Sequence, residues 1–174
     1  MPKIISCSRE RMLDVARKKF LTDGYEGFTI RDVAGECGVS VGTIYSYFTS
    51  KETLLTQAMV EEWRSLIREI REKLPAMETA EARLKYLYES IFSFNGRYHG
   101  FCARMQHSEK DRQECERRRA VQLEQVGGIV ALILPEVQST EGLAAFIADL
   151  FLSNCNRGVY PYEKIAPFVR KLYA

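Results

Sequence analysis

Apolar residues recur at three- and four-residue spacing along most of the chain, the period of a helix with one buried face, while strand-like alternation is weak throughout. The pattern predicts an all-α protein. Met12, Leu13, Ala16 and Phe20 mark a first helix over about 8–22, closed by Asp23-Gly24. Ile30, Val33, Ala34 and Cys37 mark a second helix, with Thr29 as N-cap, Asp32 as its capping-box partner and Gly38 as the stop. Val39 suits the angle to the next helix, which Ser40 caps and which is short: Ile44 and Phe48 form its apolar face, so Val41, Gly42, Thr43, Tyr45 and Tyr47 point elsewhere. A long helix then starts at Thr49 or Ser50, with Leu55, Met59, Trp63, Leu66, Ile67, Ile70 and Leu74 in line as far as the residue before Pro75. It should span roughly 35 Å, a rod able to couple what lies on either side of it.

Downstream, Thr79 can cap a helix carrying Leu84, Leu87, Tyr88, Ile91 and Phe92 that ends before Asn95-Gly96. Ser108 with Asp111 looks like another helix start, leading through a charged stretch to Val126, Ile129, Val130 and Ile133 before Pro135. That helix should pass from surface to interior, and Gly127-Gly128 would permit close packing. A helix over about 140–152 is apolar on more than one side, through Leu143, Phe146, Ile147, Leu150 and Phe151. A last amphipathic piece uses Ile165, Phe168, Val169 and Leu172, with Pro161 and Pro167 limiting where it starts.

A length of 174 residues suits a small head and a larger body. The net charge of +2 says little, but Lys3, Arg9, Arg11, Arg17, Lys18 and Lys19 face only Glu10 and Asp14 within the first twenty residues. Five scattered cysteines without a CxxC argue for reduced thiols and a cytoplasmic setting. No signal-type segment and no membrane-length apolar run is visible.

Taken in order, the stretch FLTDGY at 20–25, then Phe28-Thr29, Val33-Ala34, Gly38-Val39-Ser40, Gly42-Thr43-Ile44-Tyr45, Tyr47-Phe48 and Ser50-Lys51-Glu52 resemble the DNA-binding domain of the TetR (tetracycline repressor) family of bacterial transcriptional regulators. The likeness covers Ser8 to Met59, with Gly35 and Cys37 as mild departures. It implies a helix-turn-helix head over 1–52 and a helical regulatory and dimerisation body over 53–174. It further implies a homodimer on a near-palindromic DNA operator, released by a small molecule and acting most simply as a repressor. Short residues at Ser40, Val41, Gly42 and Thr43 would let the third helix approach the major groove, with Arg31, Tyr45 and Tyr47 on the same DNA-facing set. In the family pattern, positions matching Thr29, Tyr47 and Lys51 hold phosphates. Thr29 has a competing role as a cap and Tyr45 as a packing residue, whereas Lys51 has no evident core reason to be where it is.

The same resemblance places a ligand pocket in the body, for which Trp63, Tyr88, Phe92, Phe94, Tyr98, His99, Cys102 and Met105 are candidates; ordinary core packing is the competing reading. The final two helices would form the dimer interface, through Leu143, Phe146, Ile147, Leu150, Phe151, Ile165, Phe168, Val169 and Leu172, against a large monomeric core as the alternative. His99, Cys102, His107 and Cys115 match no common zinc spacing, so neither metal nor cofactor is expected. No nucleophile, base and oxyanion donor converge and no phosphate-binding glycine loop is present, which argues against an enzyme. A helical small-molecule-binding protein or enzyme that does not act through DNA remains the alternative.

Overall fold

The structure is a computed structural model that describes residues 7–104, 109–135, 142–158 and 160–173; within these, the side chains of 99, 100, 102–104, 109–111 and 157 are outside the description. The described residues form eight α-helices and one short 3₁₀ turn, with no strand among them. The chain divides into two compact units, Met1–Arg64 and Ser65–Ala174, with the division inside the long helix.

In the first unit, α1 (Arg9–Gly27) is capped by Ser8, whose hydroxyl accepts the Arg11 N–H, and buries Met12, Leu13, Val15, Ala16 and Phe20. The regular helix is interrupted at Gly24, where Asp23-Gly24 is expected to close it. Gly24 takes φ 72° and ψ 177°, a bend open to glycine, and helical bonding resumes to Gly27. α2 (Ile30–Cys37) buries Ile30, Val33, Ala34 and Cys37 against α1. Its end is closed by Gly38 at φ 68°, with the Val39 N–H returning to the Ala34 carbonyl at 3.0 Å. α3 (Val41–Tyr47) follows, then the fully buried Phe48, and α4 (Lys51–Lys73) starts on the Ser50 hydroxyl, which accepts the Thr53 N–H at 3.1 Å.

Gly35 lies within α2, exposed, with open space where a Cβ would stand. Gly35→Ala is therefore expected to stabilise the chain by about 1 kcal/mol, through backbone entropy alone. Urea denaturation of the two proteins side by side checks it; an unchanged midpoint contradicts it.

In the second unit, a 3₁₀ turn (Leu74–Ala76) leads to α5 (Ala80–Arg104), α6 (Glu109–Ile133), α7 (Leu143–Arg157) and α8 (Tyr162–Tyr173). α5 does not stop at Asn95-Gly96. A glycine inside a helix costs about 1 kcal/mol relative to alanine, but Ile91, Phe94, Tyr98 and Phe101 keep one face buried across it, which outweighs that cost. The same holds for Pro167, which lies inside α8 rather than limiting its start; it has no N–H to offer the Glu163 carbonyl, yet Tyr162, Ile165, Ala166 and Val169 hold the helix to the core. α8 begins directly after Pro161.

In α6, residues 112–114, 116 and 117 are exposed and Val126, Ile129, Val130 and Ile133 are buried, the passage from surface to interior that the pattern predicts. At Gly127 an added Cβ would lie 3.8 Å from Ala145 Cα, so α6 and α7 approach closely there, while Gly128 faces open space. Arg119 spans the same pair of helices, reaching Asp149 at 2.7 Å and Ser153 at 2.8 Å, and Arg170 forks onto Glu81 at 2.8 and 3.0 Å to tie α8 to α5.

Candidate nucleic-acid interface

α3 has a single buried residue, Ile44, and around it the backbone caps set the surface. The Ser40 hydroxyl accepts the Thr43 N–H at 3.1 Å and lies 2.9 Å from the Thr43 hydroxyl, while Ser46 donates to the Thr43 carbonyl at 2.7 Å. These hydroxyls make the first turn of α3 rigid and small. Gly42 is exposed, Val41 and Thr43 are half-buried, and Tyr45 and Tyr47 are 50% and 51% exposed, an unusual amount of aromatic surface for a seven-residue helix. Arg31 is exposed on the first turn of α2.

Two predicted contacts are already committed within the head. The Thr29 hydroxyl donates to the Asp32 carboxylate at 2.8 Å and accepts the Asp32 N–H at 3.3 Å, while the carboxylate also accepts the Thr29 N–H at 2.7 Å. The Thr29 hydroxyl, chiefly, holds the Asp32 carboxyl below the usual carboxylate range. A phosphate at Thr29 has to compete with this capping box.

Lys51 has the packing reason that its sequence position did not show. Its ammonium donates to the Tyr25 carbonyl and lies 4.2 Å from the centre of the Tyr25 ring and 4.6 Å from that of Phe28. Beside it, the Tyr25 hydroxyl donates to Glu52, and this bond is the main reason the Glu52 carboxyl sits below its usual range. Tyr25 and Glu52 are 27 residues apart, so no local period links them.

The basic N-terminal run is likewise less free than a local count implies. Arg17 pairs with Asp14 at 2.8 Å and with Glu62 at 3.9 Å, Lys18 with Asp14 at 2.8 Å, and Lys19 with Glu36 at 3.5 Å. Arg9 bonds Gln57 and lies 5.7 Å from the centre of the Phe48 ring. Lys3 lies outside the described residues.

Among the pocket candidates, Trp63 is buried in the first unit, and Tyr88, Phe94 and Tyr98 are buried in the second. The Tyr88 ring meets Phe151 edge-on at 5.1 Å, Tyr162 at 5.7 Å and Phe92 at 6.0 Å, and Phe94 meets Tyr98 at 5.0 Å. The Tyr88 hydroxyl donates to the Tyr160 carbonyl and accepts from the Asn154 amide, which also reaches that carbonyl at 3.0 Å. Burial pushes the Tyr88 phenol up, so it stays protonated. Phe92 alone of these rings is half-buried. Met105 and His107 lie outside the described residues, as do the side chains of His99 and Cys102; the half-buried Cys115 accepts an Arg118 N–H at 3.1 Å.

The proposed interface residues separate into two sets. Ile147, Phe151, Ile165 and Val169 are buried within the chain itself, where α7 and α8 pack on α5. Leu143, Leu150 and Leu172 are half-buried, whereas Phe146 and Phe168 are 57% and 68% exposed. No helix among the described residues is long and apolar enough to cross a membrane.

Two helices joined at a left-handed glycine, the second with an exposed polar and aromatic face, have the layout of a helix-turn-helix. Residues 12–58 match the family model of the bacterial regulatory proteins of the tetR family, so the head is similar to the heads of that family. The chain is 28% identical over 86 residues to the transcriptional regulator UidR of Escherichia coli (strain K12), a match covering 49% of this chain and 42% of that protein. Over 87 residues it is 31% identical to the transcriptional repressor KstR2 of Rhodococcus jostii, covering 48% and 43%. The chain thus spans less than half the length of these curated relatives. Among solved structures, the transcriptional regulator FadR from Bacillus subtilis in complex with stearoyl-CoA superposes with a TM-score of 0.64 at 21% identity, covering 96% of this chain and 98% of that one. At that identity the likeness establishes the fold, and it does so for body as well as head.

Proposed function

We propose that this protein is a ligand-responsive transcriptional regulator, a repressor that binds a near-palindromic operator as a homodimer and is released by a small molecule held in the helical body. The observation that carries the reading is the state of α3: one buried residue, a capped first turn of short side chains, and two half-exposed tyrosines whose hydroxyls can reach phosphates. UidR and KstR2, both named as regulators of transcription, support the output, and the stearoyl-CoA complex of FadR supports a small-molecule input. For release, the effector has to favour one arrangement of the heads over another, since equal affinity for both shifts nothing.

The test is selection of bound duplexes from random DNA, followed by binding titrations over a salt series. An inverted-repeat sequence is expected to emerge, and affinity should fall roughly 10³- to 10⁵-fold between about 50 and 200 mM salt if some 6–10 phosphates are held. Val41→Ala or Thr43→Ala should alter which sequence is preferred. Absence of enrichment, or affinity indifferent to salt, refutes the proposal.

A further inference from the structure

Tyr25 meets two neighbouring side chains of opposite charge with two different groups. Its carbonyl accepts one N–H of the Lys51 ammonium, which lies 4.2 Å from the centre of its ring and 4.6 Å from that of Phe28. Its hydroxyl donates to the Glu52 carboxylate. Lys51 and Glu52 are the first two residues of α4, yet among the described residues no ion pair joins them. One tyrosine keeps an adjacent acid and base apart.

An ammonium has three N–H donors, and the Tyr25 carbonyl takes one, which leaves two for another acceptor. Lys51 is half-buried at the N-terminal end of a 23-residue helix, where the aligned peptide dipoles also favour an anion. The nearest competitor for those donors is Glu52. The Tyr25 hydroxyl, chiefly, holds the Glu52 carboxyl below its usual range, and the charge of Lys51 adds a smaller part. A carboxylate released from the phenol has the ammonium within reach, and a charge-assisted bond to it is stronger than one to a neutral partner. Such a pair would cancel the positive charge of Lys51 where an anion is to be held.

We propose, resting on the regulator reading above and on the phosphate role that family resemblance implies for Lys51, that Tyr25 is a positioning residue for DNA binding: it holds the Glu52 carboxylate away from Lys51 and so leaves two ammonium N–H groups for a backbone phosphate. An unusual consequence follows for salt dependence. Each phosphate held by a cation contributes about one unit to the slope of log affinity against log salt. A substitution at Tyr25 that removes no charge should therefore change this slope, which a hydroxyl that served only the stability of the head would not do.

The probe is a labelled duplex that the wild-type chain enriches from random DNA, titrated between about 50 and 200 mM salt with folding of each variant checked by circular dichroism. Tyr25→Phe keeps the ring and the carbonyl and is expected to lower affinity roughly tenfold at the low end of that range, with a slope shallower by about one-half to one. Adding Glu52→Gln to it removes the competing charge and should restore the wild-type slope. Unchanged affinity and slope in Tyr25→Phe overturn the proposal, as does a loss of affinity at unchanged slope, or a shallower slope that Glu52→Gln does not restore. Lys51→Ala with the wild-type slope overturns it too. If Tyr25→Phe does not fold, Glu52→Gln alone decides: the wild-type slope supports the proposal, and a steeper one means that Glu52 screens Lys51 with Tyr25 in place, which overturns it. A wild-type chain that enriches no sequence fails the regulator reading, before any variant is made.

Discussion

On the homodimer proposed above, substituting glutamate for both Phe146 and Phe168 is expected to leave monomers and to lower affinity for a two-half-site duplex by about 10²-fold or more, the factor lost when two linked contacts become one. The reason lies in how α7 and α8 divide their apolar residues. Ile147 and Phe151 on α7, and Ile165 and Val169 on α8, complete the core of the second unit without help from another chain. Phe146 and Phe168 are left 57% and 68% exposed, with no part in that core. In a two-fold interface each residue is present twice, so the pair of substitutions places four carboxylates into a contact that would otherwise be apolar. Burying an unpaired carboxylate is far more costly than leaving a phenylalanine in water, so the dimer should open rather than adapt. Sedimentation velocity gives the mass, and circular dichroism should show unchanged helix content. A double variant that sediments as the wild type does would remove these two side chains from any dimer contact.

What was legible in the sequence was what local periodicity and capping carry. Thr29, Asp32, Gly38 and Ser40 act within four residues of their partners, and all of them do in the structure what their spacing predicts. The failures share one cause, a distant packing partner that overrides a local stop. Gly96 and Pro167 are helix breakers by propensity, but Tyr98 and Phe101 in one case and Ile165 and Val169 in the other extend a buried face past them. Gly24, by contrast, interrupts α1 through its own backbone conformation, as Asp23-Gly24 predicts. Charge shows the same limit. Lys19 and Arg17 read as a free basic run until Glu36 and Glu62 are folded against them, and Lys51 reads as spare until Tyr25 and Phe28 come beneath it. For the candidate site, the position of α3 was readable because it follows from caps, and the committed state of Thr29 and Lys51 was not, because a motif gives residue identities without saying which hydrogen bonds are already taken. The apolar excess of α7 and α8 was also plain, but periodicity alone does not tell an inner face from an outer one when both are apolar.

That last ambiguity is resolved by a comparison on a single helix. Phe151→Ala is expected to destabilise the second unit by about 3–5 kcal/mol, while Phe146→Ala, five residues earlier, should stay within about 0.5 kcal/mol of the wild type under conditions where the chain is monomeric. Phe151 is fully buried, and its ring meets Tyr88 of α5 edge-on at 5.1 Å and Tyr162 of α8 at 6.4 Å and 81°, so one side chain braces three helices. Its removal leaves a ring-sized void beneath Tyr88, whose hydroxyl is fixed to the Tyr160 carbonyl and the Asn154 amide. Those bonds keep Tyr88 from dropping into the space, so the void stays open and the cavity adds fully to the lost transfer energy. Urea unfolding followed by far-ultraviolet circular dichroism measures both variants, with the two units fitted as separate transitions because a shared one is not assured in a chain of this organisation. A cost below about 1 kcal/mol for Phe151→Ala would mean that α5, α7 and α8 close over the missing ring. The hydrogen-bonded Tyr88 would then not be the rigid post that this geometry makes it.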